Sequence, residues 1–333
     1  MTGPDPFDGL QPGMRAVVRR RIEHDVHGVT DALGEIVAMD ADTVSVRTRH
    51  GVQVIDRAAV VAAKEVPPRP ARRGAPHLAV SMHDLETTMV EGWPPLERGE
   101  LGGWLLRNGA GFTGRANSVL PLGNPEISLS DAVDHCEAWH DERGLRRLFA
   151  LFGPAGFAVD EDPLGRELLG RAYQPFNHAV VMTAATAALP PELPHPCGAR
   201  VRLEPTPSAR WWETWAAQSG HADQSEPARA AARAVMSGST EQLFASLESD
   251  GGVTGVARVA FARGWAGLFA LHVAPEQQRS GVARQLMGAV ADASRARGIR
   301  SMYLQVLQVS SPARGLYDRL GFSTHHECCY LGG

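Results

Sequence analysis

Leu268-Phe269-Ala270-Leu271-His272-Val273-Ala274-Pro275-Glu276-Gln277-Gln278-Arg279-Ser280-Gly281-Val282-Ala283-Arg284-Gln285-Leu286-Met287 is the stretch on which the fold turns. Its first part, with Trp265-Ala266-Gly267 before it, is a short apolar run and reads as a buried strand. Pro275 interrupts that strand. From there Val282, Leu286, Ala289, Val290 and Ala293 recur at helical spacing, so the pattern predicts a helix over residues 282–297. Strand, glycine-bearing loop and helix start together make an anion site. First-turn amides have no partner in the helix, and the dipole turns its positive end toward the loop. Gly281 allows backbone to approach a phosphate, Ala283 keeps the next approach clear, and Arg279 adds charge at the rim.

Working outward, the helix ends at Arg297-Gly298 and runs into the apolar Met302-Tyr303-Leu304-Gln305-Val306. A short helix ending in Leu320-Gly321 and a β-rich tail follow. The same order stands upstream. A helical pattern over residues 130–142 ends at Arg143-Gly144-Leu145-Arg146 and meets Leu148-Phe149-Ala150-Leu151-Phe152. A short helix to Leu169-Gly170 comes next. The chain therefore reads as a faint repeat, residues 77–189 and 198–333. Before the first repeat's helix stands Leu122-Gly123-Asn124-Pro125-Glu126-Ile127-Ser128-Leu129, where Pro125 removes an amide from any cradle. That half is expected to be degenerate and to wall a second site between the halves. Its polar stretch offers Arg115, Asn117 and Ser118 either as acceptor contacts or as residues that close a hairpin. Trp211, Trp212 and Trp215 at helical spacing either seal the core or line an acceptor pocket. Ahead of both halves, five short β-branched runs within residues 7–66 predict a small antiparallel barrel. Residues 67–76, rich in Pro and Arg, predict a semi-rigid linker.

The loop Gln278-Arg279-Ser280-Gly281-Val282-Ala283 and the segment Pro312-Ala313-Arg314-Gly315-Leu316-Tyr317-Asp318-Arg319-Leu320-Gly321-Phe322 resemble, in order and separation, two motifs of the GNAT superfamily of N-acetyltransferases. More loosely, the whole chain is similar to an actinobacterial GNAT group with an N-terminal Src-homology-3-like barrel and two acetyltransferase-like halves. The resemblance implies an α+β fold: the small β-barrel, then two GNAT-like mixed α/β halves, only the C-terminal one with an intact acetyl-CoA loop. It implies an acetyl-CoA-dependent transfer to a primary amine of a small molecule or protein. It also implies pyrophosphate on the amides of Arg279, Ser280, Gly281, Val282, Ala283 and Arg284, pantetheine along Leu271, His272 and Val273, and Gln278, Ser310 and Tyr317 beside the cofactor. Tyr317 would then protonate the leaving thiolate, or else be a plain core aromatic. Two departures stand out. Ser310 occupies a position where many relatives carry Asn on the cofactor arm, and no carboxylate lies between Gly264 and Val273. His272 is a candidate base there; Glu276, Glu241, Glu248 and water relays remain open. The competing class is a CoA sensor or adaptor with the barrel as binding module.

Composition narrows the rest. With 333 residues, 33 basic and 37 acidic side chains and a net charge of −4, the balance argues against bulk nucleic-acid affinity. Arg19-Arg20-Arg21 alternates across a strand and reads as a solvated face. No apolar run is long enough to span a membrane and no leader pattern is read, so a cytoplasmic setting is expected. Cys136, Cys197, Cys328 and Cys329 form no CxxC pair, and His325-His326 lacks ligand partners, so no metal is expected. Lys64 is the only lysine, a bias of composition that leaves a lysine acetyltransferase almost nothing of its own to modify.

Overall fold

The computed structural model describes residues 6–7, 10–21, 28–48, 51–66, 76–192, 199–249 and 252–333. The chain divides into two compact units, residues 1–71 and 72–333. Most of the expected linker, and Cys197, lie outside the described residues.

The first unit carries five strands: β1 (Arg15–Arg21), β2 (Val29–Met39), β3 (Thr43–Thr48), β4 (Gly51–Asp56) and β5 (Val60–Glu65). They form one sheet in the order β4-β3-β2-β1-β5, antiparallel throughout. Strand alternation sends Ala16, Val18, Ile36, Val44, Val46 and Ile55 into a single core. Arg19 faces solvent and pairs with Asp31 at 2.8 Å. The five strands are as the sequence predicts, but β4 pairs only with β3 and β5 only with β1. Among the described residues the sheet keeps both edges and is not a closed barrel.

The second unit opens with α1 (Pro76–Ala79) and α2 (Met82–Gly92), then β6 (Glu97–Leu101), β7 (Trp104–Asn108) and β8 (Leu120–Pro121). Next come α3 (Leu129–Asp141), β9 (Leu148–Gly153), α4 (Pro163–Gly170) and β10 (Gln174–Ala185). The later part contributes β11 (Arg200–Glu204), α5 (Ala209–Ser219), α6 (Glu226–Met236), β12 (Glu241–Ser249), β13 (Gly252–Ala262) and β14 (Trp265–Val273). It finishes with α7 (Val282–Ala296), β15 (Ser301–Leu307), α8 (Ser311–Arg319) and β16 (Ser323–Gly332). Helix starts follow local chemistry. Ser81, Ser128, Asp162 and Ser208 each accept a first-turn amide of α2, α3, α4 and α5.

Eight strands make one sheet, β11-β12-β13-β14-β15-β10-β16-β9, in which only β14 and β15 run parallel. The run α3-β9-α4-β10 recurs as α7-β15-α8-β16, and the two runs exchange strands. β10 pairs with both β15 and β16, and β16 pairs with both β10 and β9. Each run's last strand thus lies between the two strands of the other. The meander β6-β7-β8 corresponds to β12-β13-β14, and Val119 beside β8 bridges Phe149 of β9 in parallel, as β14 does β15. Alternation splits the core between the two sheet faces. One face packs α7 and α8 through Leu286, Val290, Tyr317 and Leu320. The other packs α2, α5 and α6 through Met89, Trp93, Trp211 and Val235.

Candidate active site

Strands β14 and β15 pair only from Trp265–Ser301 to Leu268–Leu304 and then part. A bulge marks the point of divergence. Opposite β13 the register steps from Phe269–Arg258 to His272–Val256, and Ala270 takes φ 51°. Ala274 donates to the Thr254 carbonyl at 3.0 Å, so alternation turns the N–H and C=O of Leu271 and Val273 toward the open side. Leu271 and Val273 pack on the α7–α8 face and Phe269 on the α2–α5–α6 face. His272 alternates onto the latter face. Burial, aided by the charge of His221, holds its pKa below the usual histidine value, so it is neutral near pH 7.

The loop after β14 winds through one 3-10 turn, Pro275–Gln277, and reaches α7 by way of Arg279 (φ 63°) and Gly281 (φ 95°). Helix α7 begins at Gly281 with no side-chain cap and no acidic residue in its first turn. Among the described residues no acceptor faces the amides of Arg279, Gly281, Val282, Ala283 and Arg284. A Cβ on Gly281 would meet nothing within 4 Å, so the cradle is open. The equivalent start of α3 is closed: Ser128 accepts from Asp131 N–H, and the Asp131 carboxylate sits in the first turn. An anion is welcome at α7 and repelled at α3.

The other sequence candidates separate. Ser280 caps its own turn, donating to Gln277 O at 2.6 Å, while Gln278, Arg279 and Arg284 are exposed along the rim. Ser310 stands at the start of α8, half-buried, with no capping bond from its side chain. Tyr317 is buried on the α7–α8 face, edge-on to Phe322, and burial pushes its phenol up to about 12. Glu241 and Glu248 are occupied by Arg297 (2.7 Å) and Arg202 (3.3 Å). Asn117 accepts from Gly109 and Gly111 N–H and donates to Phe112 and Thr113 O, so it closes the loop after β7. Ser118 likewise donates to Gly114 O. Of that trio Arg115 reaches the eight-stranded sheet, donating to Gln305 on β15.

Where β14 and β15 part, a cavity of about 280 Å³ opens, lined by Trp93, Arg115, Asn177, Phe269, Gln305 and Tyr330 among others. A larger one of about 440 Å³ lies by α5 and α6, with Trp212, Trp215 and His221 in its wall. Trp211 and Trp215 are buried in the core, the first of the two roles open to the tryptophan cluster. Sequence reading missed the polar network beneath. Glu86 of α2 meets His326 of β16 at 2.9 Å, both buried. Burial opposes ionisation of Glu86, yet the bond from His326 and the charges of Arg107 and Arg115 bring its pKa below the ordinary value. Arg258 of β13 is fully buried, held by Gly92 O, Ser239 Oγ and Gln242 Oε1, with burial lowering it to about 9. Arg107 is lowered to about 10 by the same cause. A single sequence gives no periodic or spacing signal for such pairs, whose members lie as far apart as Glu86 and His326. Cys136, Cys328 and Cys329 are free and buried, and burial raises each thiol. No metal-binding group occurs among the described residues.

A mixed sheet splayed beside a bulged strand, with an uncapped, glycine-led helix next to the splay, defines a GNAT-type N-acetyltransferase. The chain belongs to the family described as "Probable histone acetyltransferase Rv0428c C-terminal", whose model matches residues 80–331. It is 30% identical over 328 residues to "Probable histone acetyltransferase Rv0428c" of Mycobacterium tuberculosis, covering 96% of this chain and 94% of that one. It is 23% identical to "Uncharacterized N-acetyltransferase YobR" of Bacillus subtilis over 246 residues, 74% of this chain and 96% of the relative. Among solved structures, a GCN5-related N-acetyltransferase from Kribbella flavida superposes with a TM-score of 0.56 at 15% identity, covering 76% of this chain and 96% of its own. A tandem GNAT protein from the clavulanic acid biosynthesis pathway gives 0.52 at 10% identity, covering 78% and 90%. Among the described residues no helix is long and apolar enough to cross a membrane.

Proposed function

We propose that this enzyme uses acetyl-CoA to acetylate a primary amine, with residues 199–333 holding the cosubstrate and residues 76–192 walling the acceptor site. The observation that carries the reading is the open, uncapped start of α7 beside the parting of β14 and β15. When bound, acetyl-CoA supplies a thioester whose carbonyl an amine attacks, a C–N bond forming as the C–S bond breaks, nitrogen losing one proton and sulfur gaining one.

The chain's own residues divide the work. Amides of Arg279, Gly281, Val282, Ala283 and Arg284 receive pyrophosphate, with the Arg279 and Arg284 side chains at the rim. Leu271 and Val273 offer backbone to an extended arm as a neighbouring strand would. The Val273 N–H polarises the carbonyl. Tyr317, kept as a neutral phenol by its burial, donates the proton on the α7–α8 face. His272, kept neutral on the opposite face, takes the amine's proton. Ser310, shorter than Asn, touches the arm only from the start of α8. The degenerate reading of the first half rests on the capped, acidic start of α3.

Calorimetric titration with acetyl-CoA and CoA, followed by thiol release against an amine panel, tests this. Tyr317→Phe is expected to keep acetyl-CoA affinity and lose about 10- to 100-fold in kcat. Failure to bind either nucleotide would sink the enzyme reading. Tight binding with no turnover on any amine would instead favour a CoA sensor.

A further inference from the structure

Arg115, in the wall of the cavity at the parting of β14 and β15, belongs to a group of three arginines that carries more positive charge than the neighbouring carboxylates balance. Arg115 is half-buried, its guanidinium 5.2 Å from the Phe269 ring and 6.0 Å from that of Trp93. Arg258 lies against the same two rings, 5.3 Å from Trp93 and 5.2 Å from Phe269. Arg107 is 2% exposed and donates to Ser118 O at 2.9 Å and Ser118 Oγ at 2.7 Å. Among the described residues none of these three guanidinium groups pairs with a carboxylate. The one acid beside them, Glu86, is bonded to His326.

Burying a cation without a counter-ion is costly, and neutral acceptors and aromatic faces offset only part of that cost. Arg258 and Arg107 are already enclosed by backbone and side-chain oxygens. Arg115 differs, because its one hydrogen bond goes to the neutral Gln305 and it forms part of the cavity wall. A guanidinium in that position is a bidentate receptor for a carboxylate. The cavity's volume, about 280 Å³, stands at the small end of ligand sites.

Resting on the acetyltransferase reading above, we propose that the acceptor is a small amino carboxylate, its carboxylate held by Arg115 and its amine directed to the open edge of β14. Trp93, Phe269 and Tyr330 then pack the carbon skeleton, and Asn177 and Gln305 complete the polar wall.

The test is thiol release with α-, β- and γ-amino acids, each paired with its own carboxamide, beside a lysine peptide blocked at both termini. Calorimetric titration of the same amines into the CoA-saturated protein runs in parallel. Free amino acids are expected to exceed their carboxamides by at least about 10-fold in kcat/KM. Arg115→Gln should erase that preference through KM, and Arg115→Lys should restore part of it, with acetyl-CoA affinity unchanged in both. Equal use of carboxamides, preference for the blocked lysine peptide, or no carboxylate-dependent binding or turnover would overturn the proposal. A protein that binds no acetyl-CoA fails the earlier reading instead, and the titration separates the two.

Discussion

Replacing Gly281 separates two contributions that the α7 start makes to anion binding. At φ 95° the position is left-handed, and any L side chain there is strained by about 1–2 kcal/mol, with Asn the best tolerated. A Cβ meets nothing within 4 Å, so no clash is added and folding survives with a melting temperature a few degrees lower. Gly281→Gln then measures strain and bulk at the cradle. Gly281→Glu adds one negative charge at nearly the same size. A carboxylate about 4–6 Å from a phosphate costs about 1–4 kcal/mol at effective dielectric constants between water and a protein surface. Exposure of the loop keeps this toward the lower end, about 1–2 kcal/mol, or about 5- to 30-fold in affinity. Calorimetry should therefore rank acetyl-CoA affinity as Gly, Asn, Gln, Glu. The Gln-to-Glu gap should also narrow in high salt. Equal affinities for Gln and Glu variants, with both folded, would refute the placement of pyrophosphate at this helix.

Two further outcomes concern stability. Glu86→Gln replaces the buried carboxylate bonded to His326 by a neutral amide and should cost about 1–3 kcal/mol at neutral pH by denaturant titration. Because Glu86 titrates lower when folded, its stabilisation is complete above the unfolded value near about 4.3 and fades as pH falls through the folded value, so variant and parent should converge in acid. A constant difference down to pH 3 would contradict the pairing. The Tyr303 hydroxyl is buried with no hydrogen-bond partner and would lie 2.2 Å from a Cβ on Gly92. Tyr303→Phe should be neutral or stabilising by up to about 1–3 kcal/mol, and should rescue part of the loss caused by Gly92→Ala, since the Phe269 ring would still stand 3.0 Å from the new Cβ; additive effects in the double-mutant cycle would refute the clash.

What could be read in the sequence was local. Helix α7 and strands β14 and β15 fall within a residue or so of their expected bounds, because amphipathic spacing and the glycine loop are short-range signals. Both repeat runs were visible for the same reason, as Arg143-Gly144 and Arg297-Gly298 each end a helix ahead of a strand. What stayed hidden depends on contacts between distant residues. The open edges of the first sheet, the pairing of Glu86 with His326 and the reach of Arg115 to Gln305 span separations that no periodicity encodes. Asn117 and Arg115 stand two residues apart in one polar stretch. Only the fold assigns the first to its own loop and the second to the cavity.

The strand exchange ties the two runs of the second unit into one sheet. A splayed pair of strands leaves backbone unpaired, and an edge in that state invites association with other chains. Here β15 is covered on its far side along its whole length by β10, from Ala179–Leu307 to Ala185–Ser301, so it stays straight while β14 bends away at its bulge. The first half thus supplies the rigid side of the opening through β10 and part of its wall through Arg115 and Trp93. Deleting that half would remove both together, and with them β10 and β9, the two neighbours of β16. Residues 199–333 alone would leave β15 with an open edge and β16 with no partner strand, which accounts for one compact unit spanning residues 72–333 rather than two.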